Sequence, residues 1–126
     1  MAQRMLVIDD EELVLASCRK VFEAEGFEVV TTTSPEEGLR LVSTISFDII
    51  LCDWKMPGFD GMNVIEEINQ RSSDSAIVMI SGYATIGRAN EAIKRGAVDY
   101  VPKPFTPDEL VDAVRRAINR KSEPTK

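Results

Sequence analysis

Met5-Leu6-Val7-Ile8-Asp9-Asp10-Glu11-Glu12 passes from four apolar residues to four acids in one step. A strand with one solvated face alternates apolar and polar residues, whereas a run apolar at every position needs cover on both faces. The four apolar residues therefore predict a buried strand of a parallel sheet, and the acids mark its carboxyl end. Two further runs end on a charge in the same way. Ile49-Ile50-Leu51-Cys52 closes on Asp53, and Tyr100-Val101 leads to Lys103, held between Pro102 and Pro104. On parallel strands these charges gather at one edge, where open α/β sheets bind their ligands. Carboxylates that converge repel one another unless a cation joins them, and a divalent hard cation suits such oxygen donors.

Outward from these runs, apolar segments alternate with helical patterns five times. Strands are expected at 5–8, 28–32, 48–52, 76–80 and 99–101. A helix over 11–25 places Val14, Cys18, Val21 and Phe22 on one stripe, leaves Leu13 and Leu15 off it, and stops at Gly26. Ser34-Pro35-Glu36-Glu37 is a capping box with proline at the first helical position, opening a helix to about residue 44. Helices follow at about 63–70 and 85–95, the latter ending at Gly96. Thr106-Pro107-Asp108-Glu109 repeats the capping box and opens the last helix, whose inner side carries Leu110, Val114 and Ile118. Strand–helix alternation of this kind predicts an α/β fold, a doubly wound five-stranded parallel sheet with helices on both faces and right-handed crossovers.

The 126 residues make one ordinary domain, and 44% of them are hydrophobic, enough for a core. The tail over 122–126 is polar and is expected to be a frayed end or the start of a linker after a domain at 1–121. A net charge of −6 argues against direct nucleic-acid binding, which wants a basic face. No apolar stretch reaches the length of a membrane span, and Met1–Arg4 leads into an apolar run too short for a signal peptide. Cys18 and Cys52 have no metal spacing and lie within apolar segments, so free buried thiols and a reducing, cytoplasmic setting are expected. The chain contains no histidine, which removes triads, most zinc sites and imidazole acid–base chemistry.

Each charged mark has an ordinary explanation when taken alone. Asp9 or Asp10 could be a helix N-terminal acid, Asp53 a turn acid before Pro57-Gly58, and Lys103 a surface lysine. Together, at the ends of separate strands, they favour a cation site. A strand-end carboxylate facing a cation can also act as a nucleophile and become an acyl phosphate. The prolines around Lys103 pin its backbone, as meeting an anion would require, and Lys103-Pro104 is a candidate cis bond. Ser81, at the end of Ile77-Val78-Met79-Ile80, offers a hydroxyl to the same edge, while Tyr100 lies in the last strand.

These residues, in this order and spacing, resemble the receiver domain of two-component response regulators. The resemblance runs from about Met5 to Arg120 and includes Asp53-Trp54-Lys55-Met56-Pro57-Gly58-Phe59-Asp60-Gly61 and Lys103-Pro104-Phe105. Ser81-Gly82-Tyr83-Ala84-Thr85 and Gly96-Ala97-Val98-Asp99-Tyr100 look most like receivers attached to transcription activators. The resemblance implies a flavodoxin-like sheet of strand order 2-1-3-4-5, the order of the chemotaxis receivers. It implies that Asp53 is the phosphoacceptor, that Asp10, Asp53 and the backbone carbonyl of Lys55 hold Mg²⁺, and that Asp9 acts on the ion through water. Lys103 would pair with the phosphoryl group, and Ser81 and Tyr100 would form the switch.

The implied activity is that of a signalling switch that catalyses its own phosphorylation and slow dephosphorylation. Its donor would be a histidine kinase or histidine phosphotransfer protein, and it would act on an output domain or partner, with a homodimer formed on phosphorylation allowed. The responsive surface would include Arg88, Glu91, Arg95, Arg115, Arg116 and Arg120, and Leu13 and Leu15 could meet the kinase. Lys55 and Tyr83 would set the acyl-phosphate lifetime, and Trp54 is bulkier than the residue usual after the acceptor. Two rival readings fit less well. An aspartyl-nucleophile phosphatase of the haloacid dehalogenase type wants an aspartate where Lys55 stands, and a flavin carrier would find its phosphate repelled by Asp9–Glu12.

Overall fold

The computed structural model, which describes residues 3–53, 55–56, 59–82 and 86–122, alternates strand and helix along the chain. The elements are β1 (Arg4–Ile8), α1 (Glu12–Ala24), β2 (Glu28–Thr32), α2 (Pro35–Thr44), β3 (Ile49–Asp53), β4 (Lys55–Met56), β5 (Phe59–Asp60), α3 (Gly61–Arg71), β6 (Ala76–Ser81), α4 (Ile86–Lys94), β7 (Asp99–Pro102) and α5 (Pro107–Ser122). Five strands pair in parallel in the order β2-β1-β3-β6-β7. This is the anticipated 2-1-3-4-5 order, because β4 and β5 stand apart as an antiparallel pair with Lys55 opposite Asp60 and Met56 opposite Phe59. The sequence does not announce that pair, since two-residue strands are too short to show a period.

Alternation along the strands sorts the core into two layers. Met5 and Val7 of β1, Ile49 and Leu51 of β3, Val78 and Ile80 of β6, and Val101 of β7 face α1 and α5. Leu6, Ile8, Ile50, Cys52, Ile77 and Met79 face α2, α3 and α4. Both faces of β1, β3 and β6 are thus covered, which explains why their sequences are apolar at every position. On α1 the buried residues are Leu15, Cys18 and Phe22. Leu15 therefore belongs to the core, contrary to expectation: 15, 18 and 22 follow the i, i+3, i+7 spacing of one helical face. Leu13 does lie off it and is 83% exposed.

The second capping box forms in full and the first by one arm, the Ser34 amide donating instead to Thr32 Oγ1 at 3.0 Å. The amide of Glu37 donates to Ser34 Oγ at 3.2 Å, and Thr106 and Glu109 exchange bonds of 3.1 and 2.9 Å. Both cysteines are free and buried, and burial pushes the Cys18 thiol up to about 12 and the Cys52 thiol up further. Gly96 ends α4 with φ +126°, and a Cβ there would come within 2.6 Å of the Asn69 side chain. Gly96→Ala is expected to lower stability by about 1–3 kcal/mol, through backbone strain and displacement of Asn69, as read from the urea midpoint.

Candidate functional site

The sheet order places β1 beside β3, with β2 outside β1 and β6 and β7 on the other flank. The winding reverses between β1 and β3, so the crevice beyond their carboxyl ends is the switch point of the fold. Ile8 is level with Cys52, so the residues that follow, Asp9 and Asp53, are neighbours by register. On the other side of β3, Asp53 is level with Ile80, and Ser81 is level with Pro102. The carboxyl edge of the sheet therefore holds Asp9 and Asp53 level with each other, with Ser81 and the approach to Lys103 one residue further along. Parity adds a second condition. Val7, Leu51 and Val101 all face α1 and α5, and Asp9, Asp53 and Lys103 each lie two residues further on.

The structure brings the predicted charges together. Asp9 is fully buried and Asp53 is 5% exposed. Lys103 Nζ lies 2.9 Å from Asp9 Oδ2 and 3.5 Å from Asp53 Oδ2. The Lys103–Pro104 peptide is cis, and the Lys103 amide donates to the Ser81 carbonyl at 2.7 Å, which ties the end of β7 to the end of β6. Carboxylate oxygens of Asp9, Asp10, Glu11 and Asp53 all lie within 4.8 Å of one another. Asp10 and Glu11 are exposed, so the group is buried on one side and open on the other. Ser81 is fully buried, and Tyr100 is half-buried against the core layer beneath α2, α3 and α4.

Burial pushes the Asp9 carboxyl above its ordinary value, although the Glu11 amide (2.8 Å) and Lys103 pull it down. Burial also opposes the charge on Lys103. Its bonds to Asp9 and Glu11, with the fields of Asp9 and Asp53, outweigh that and raise it. The two ends of one bond thus differ in sense. Lys103 gains from several acids at once, while Asp9 shares a single ammonium with them and gives up all its hydration. At the separation of these carboxylates, two negative charges repel by roughly 3 kcal/mol at an effective dielectric near 20. Four oxygen donors with an excess of negative charge, open on one side, match a small hard cation that keeps part of its water.

Residues 5–115 match the family described as the response regulator receiver domain. The chain belongs to the response regulator receiver family. Regulatory protein AtoC of Escherichia coli (strain K12) is 34% identical to this receiver over 119 residues, covering 94% of this chain and 26% of AtoC. The chain thus spans about a quarter of the length of that relative. Among solved structures, the beryllofluoride-activated NtrC4 receiver domain dimer has a TM-score of 0.88 at 33% identity, with 94% of this chain and 98% of that one covered. A response regulator protein from Burkholderia pseudomallei, with a phosphorylated aspartic acid, calcium ion and citrate, has a TM-score of 0.86 at 27% identity, covering 94% and 69%. This receiver is therefore a phosphoaccepting signalling switch of two-component systems.

One participant is not assigned by the sequence. Glu11 Oε1 accepts a hydrogen bond from Lys103 Nζ at 3.0 Å. Its only sequence signal is membership of the acidic row 9–12, which does not say which acid reaches a lysine 92 positions away. The expected charged surface is also more tied down than its sequence implies. Arg95 reaches across to α3, 3.0 Å from Asn63 Oδ1 and 3.9 Å from Glu66 Oε2, besides Glu91 on its own helix. Arg116 and Arg120 lie 3.6 and 3.8 Å from Asp99, and Arg115 pairs with Glu25 at the end of α1. Trp54 and Tyr83 lie outside the described residues, and of Lys55 only the backbone, in β4, is described.

Mg²⁺ is expected to raise the melting temperature, with stabilisation of about 2.7 kcal/mol at a hundredfold excess over Kd. Asp10→Asn should melt higher than the parent in EDTA, because one charge leaves the cluster, and should lose most of the increment on adding Mg²⁺. Paired thermal melts with the chelator and with the ion check both halves.

Proposed function

We propose that Asp53 is the phosphoacceptor of this receiver and that Lys103 stabilises charge on the arriving phosphoryl group. One observation carries the reading: a buried carboxylate on the central strand with a buried-side ammonium 3.5 Å away. In the reaction an Asp53 oxygen attacks phosphorus as the bond from phosphorus to the donor histidine nitrogen breaks. The imidazole leaves with the electron pair and takes up a proton from solvent. The product is an aspartyl phosphate, which water later hydrolyses to carboxylate and inorganic phosphate. Positioning and charge stabilisation carry most of such a transfer. Lys103 is positioned from two sides, by its bond to Asp9 and by its amide bond to Ser81.

Asp10, Asp53 and the backbone carbonyl of Lys55 would hold Mg²⁺, with Asp9 in support. When bound, the ion supplies further positive charge to the phosphoryl oxygens. The acidic cluster and the calcium ion in the Burkholderia pseudomallei protein support this assignment. Ser81, buried at the end of β6 beside Asp53, would donate its hydroxyl to a phosphoryl oxygen. The shift of Ser81 would open space that Tyr100 fills by turning inward, biasing an equilibrium between two conformations. Tyr100 sits on β7, the strand that α4 and α5 both pack against, so the surface these elements form would carry the signal to an output domain or partner.

The phosphodonor is a histidine kinase or histidine phosphotransfer protein in this reading. An apolar groove next to the site supports a docking place for it: Leu13, Val14 and Val21 of α1 face Phe105, Pro107 and Leu110 at the start of α5. Leu13 is exposed and lies beside the acids at the head of α1. The activated NtrC4 receiver is a dimer, which supports a homodimer of this chain on phosphorylation. No helix among the described residues is long and apolar enough to cross a membrane, and a cytoplasmic setting agrees with two free thiols.

A small phosphodonor with Mg²⁺ is expected to add one phosphoryl group by intact mass, and Asp53→Asn to abolish it; an adduct persisting in that variant would place the acceptor elsewhere. Leu13→Ser should slow transfer from a phosphorylated histidine kinase about tenfold, equivalent to ~1.4 kcal/mol. Its uptake from the small donor should be unchanged, and equal slowing with both donors would reject the groove as the docking place.

A further inference from the structure

Lys103 has three N–H donors and three acids within reach. Two of the acids hold it at bonding distance, Asp9 at 2.9 Å and Glu11 at 3.0 Å, while Asp53 lies at 3.5 Å. The ammonium is thus drawn toward the first strand and its following turn, away from the carboxylate that must react. The acids that hold it are unlike. Asp9 is fully buried and takes the Glu11 amide as well, whereas the Glu11 side chain is 60% exposed. A bond to an exposed carboxylate is weak in water, because the hydrated alternative is nearly as good. Lys103 can therefore leave Glu11 at small cost and cannot readily leave Asp9.

Local structure singles out Glu11 for the same role. It occupies the N-cap of α1, and its carbonyl accepts from the amides of Val14 and Leu15. Ser, Thr, Asp and Asn are the effective N-caps, and α2 and α5 begin with Ser34 and Thr106 bonded in that way. Glu11 makes no side-chain cap bond. Its carboxylate is turned to Lys103, and the cap of α1 is forgone. The bond between the amide of Glu11 and Asp9 fixes the backbone from which the side chain reaches.

We infer that Glu11 is a positioning residue that parks the Lys103 ammonium at the rim before phosphorylation and gives it up when a phosphoryl group arrives at Asp53. This rests on the assignment of Asp53 and Lys103 made above. Glu11 then slows the chemical step, because a fraction of receivers must release the ammonium before charge on the phosphoryl oxygens is met. It does not touch the reacting atoms and acts only through Lys103.

The test is uptake of phosphoryl from phosphoramidate at saturating Mg²⁺, followed by intact mass over a range of donor concentration. Glu11→Ala should raise the maximal rate about 1.5- to fivefold, the range an exposed ion pair spans. Glu11→Gln, which can still accept but carries no charge, should fall between it and the parent. The donor concentration at half-maximal rate should stay the same. Glu12→Ala removes the adjacent acid of the first turn and should match the parent. In EDTA, the Lys103 side-chain NMR signals should move in Glu11→Ala and stay in place in Glu12→Ala. Equal acceleration by both alanine variants, or a change only in the half-maximal donor concentration, would mean a general anionic field and overturn the parking. A parent chain that takes up no phosphoryl group would overturn the assignment of Asp53 and this inference with it. Normal uptake on Asp53 with no effect at Glu11 would overturn this inference alone.

Discussion

Two buried carboxylates on adjacent strands share one ammonium, and the architecture around them follows from that need. Asp9 and Asp53 cannot sit side by side out of water without a cation, and among the described residues Lys103 supplies it. Bringing it there requires β7 to lie on the same flank as β6, its end to be tied to Ser81, and the turn after it to point back across the sheet. Even so, this ammonium faces a cluster of four acids. The imbalance is concentrated where a cation and a phosphoryl group can enter from solvent. A pocket with its charges fully neutralised would hold the fold together better and would have no reason to accept either.

Much of this is legible in the sequence because the runs are apolar at every position. A strand such as Ile49–Asp53 can only lie in the middle of a covered sheet, and its final acid then has one place to go. The capping residues Ser34 and Thr106 locate two helix starts, and the glycines at 26 and 96 locate two ends. What pattern does not disclose depends on side-chain reach. Leu15 falls on the buried row of α1, at the margin of a stripe drawn through Val14 and Val21. The hydrogen bond from Lys103 to Glu11 joins residues 92 apart and leaves no periodic trace. The surface arginines look alike in the sequence. In the fold, Arg95 bridges to α3 while Arg116 and Arg120 converge on Asp99.

The helices are held unevenly, and the differences follow the division of labour. α1 and α5 enclose one continuous apolar layer with Phe22, Leu110 and Val114 at its centre. They carry the groove beside the site, and the turn into α1 carries the acids that receive Lys103. Among its described side chains, α4 gives Ala92 alone to the fully buried set, and Arg95 just beyond it reaches the neighbouring α3. Small side chains bury little area, so the described side chains of α4 contribute less hydrophobic stabilisation than those of α1 and α5. The helix packs against the strand that carries Tyr100, where the proposed conformational change would leave the pocket.

The two-residue repeat of the strands has a genetic counterpart. Adding or deleting a single residue inside β1, β3 or β7 would exchange its two faces, sending Asp9, Asp53 or Lys103 to the layer under α2, α3 and α4. A change of length is therefore expected to be tolerated in the connections and not within the three strands that meet at the pocket, whose reading frame of inward and outward side chains it would break. The chemistry constrains not only which residues are retained but how many stand between them.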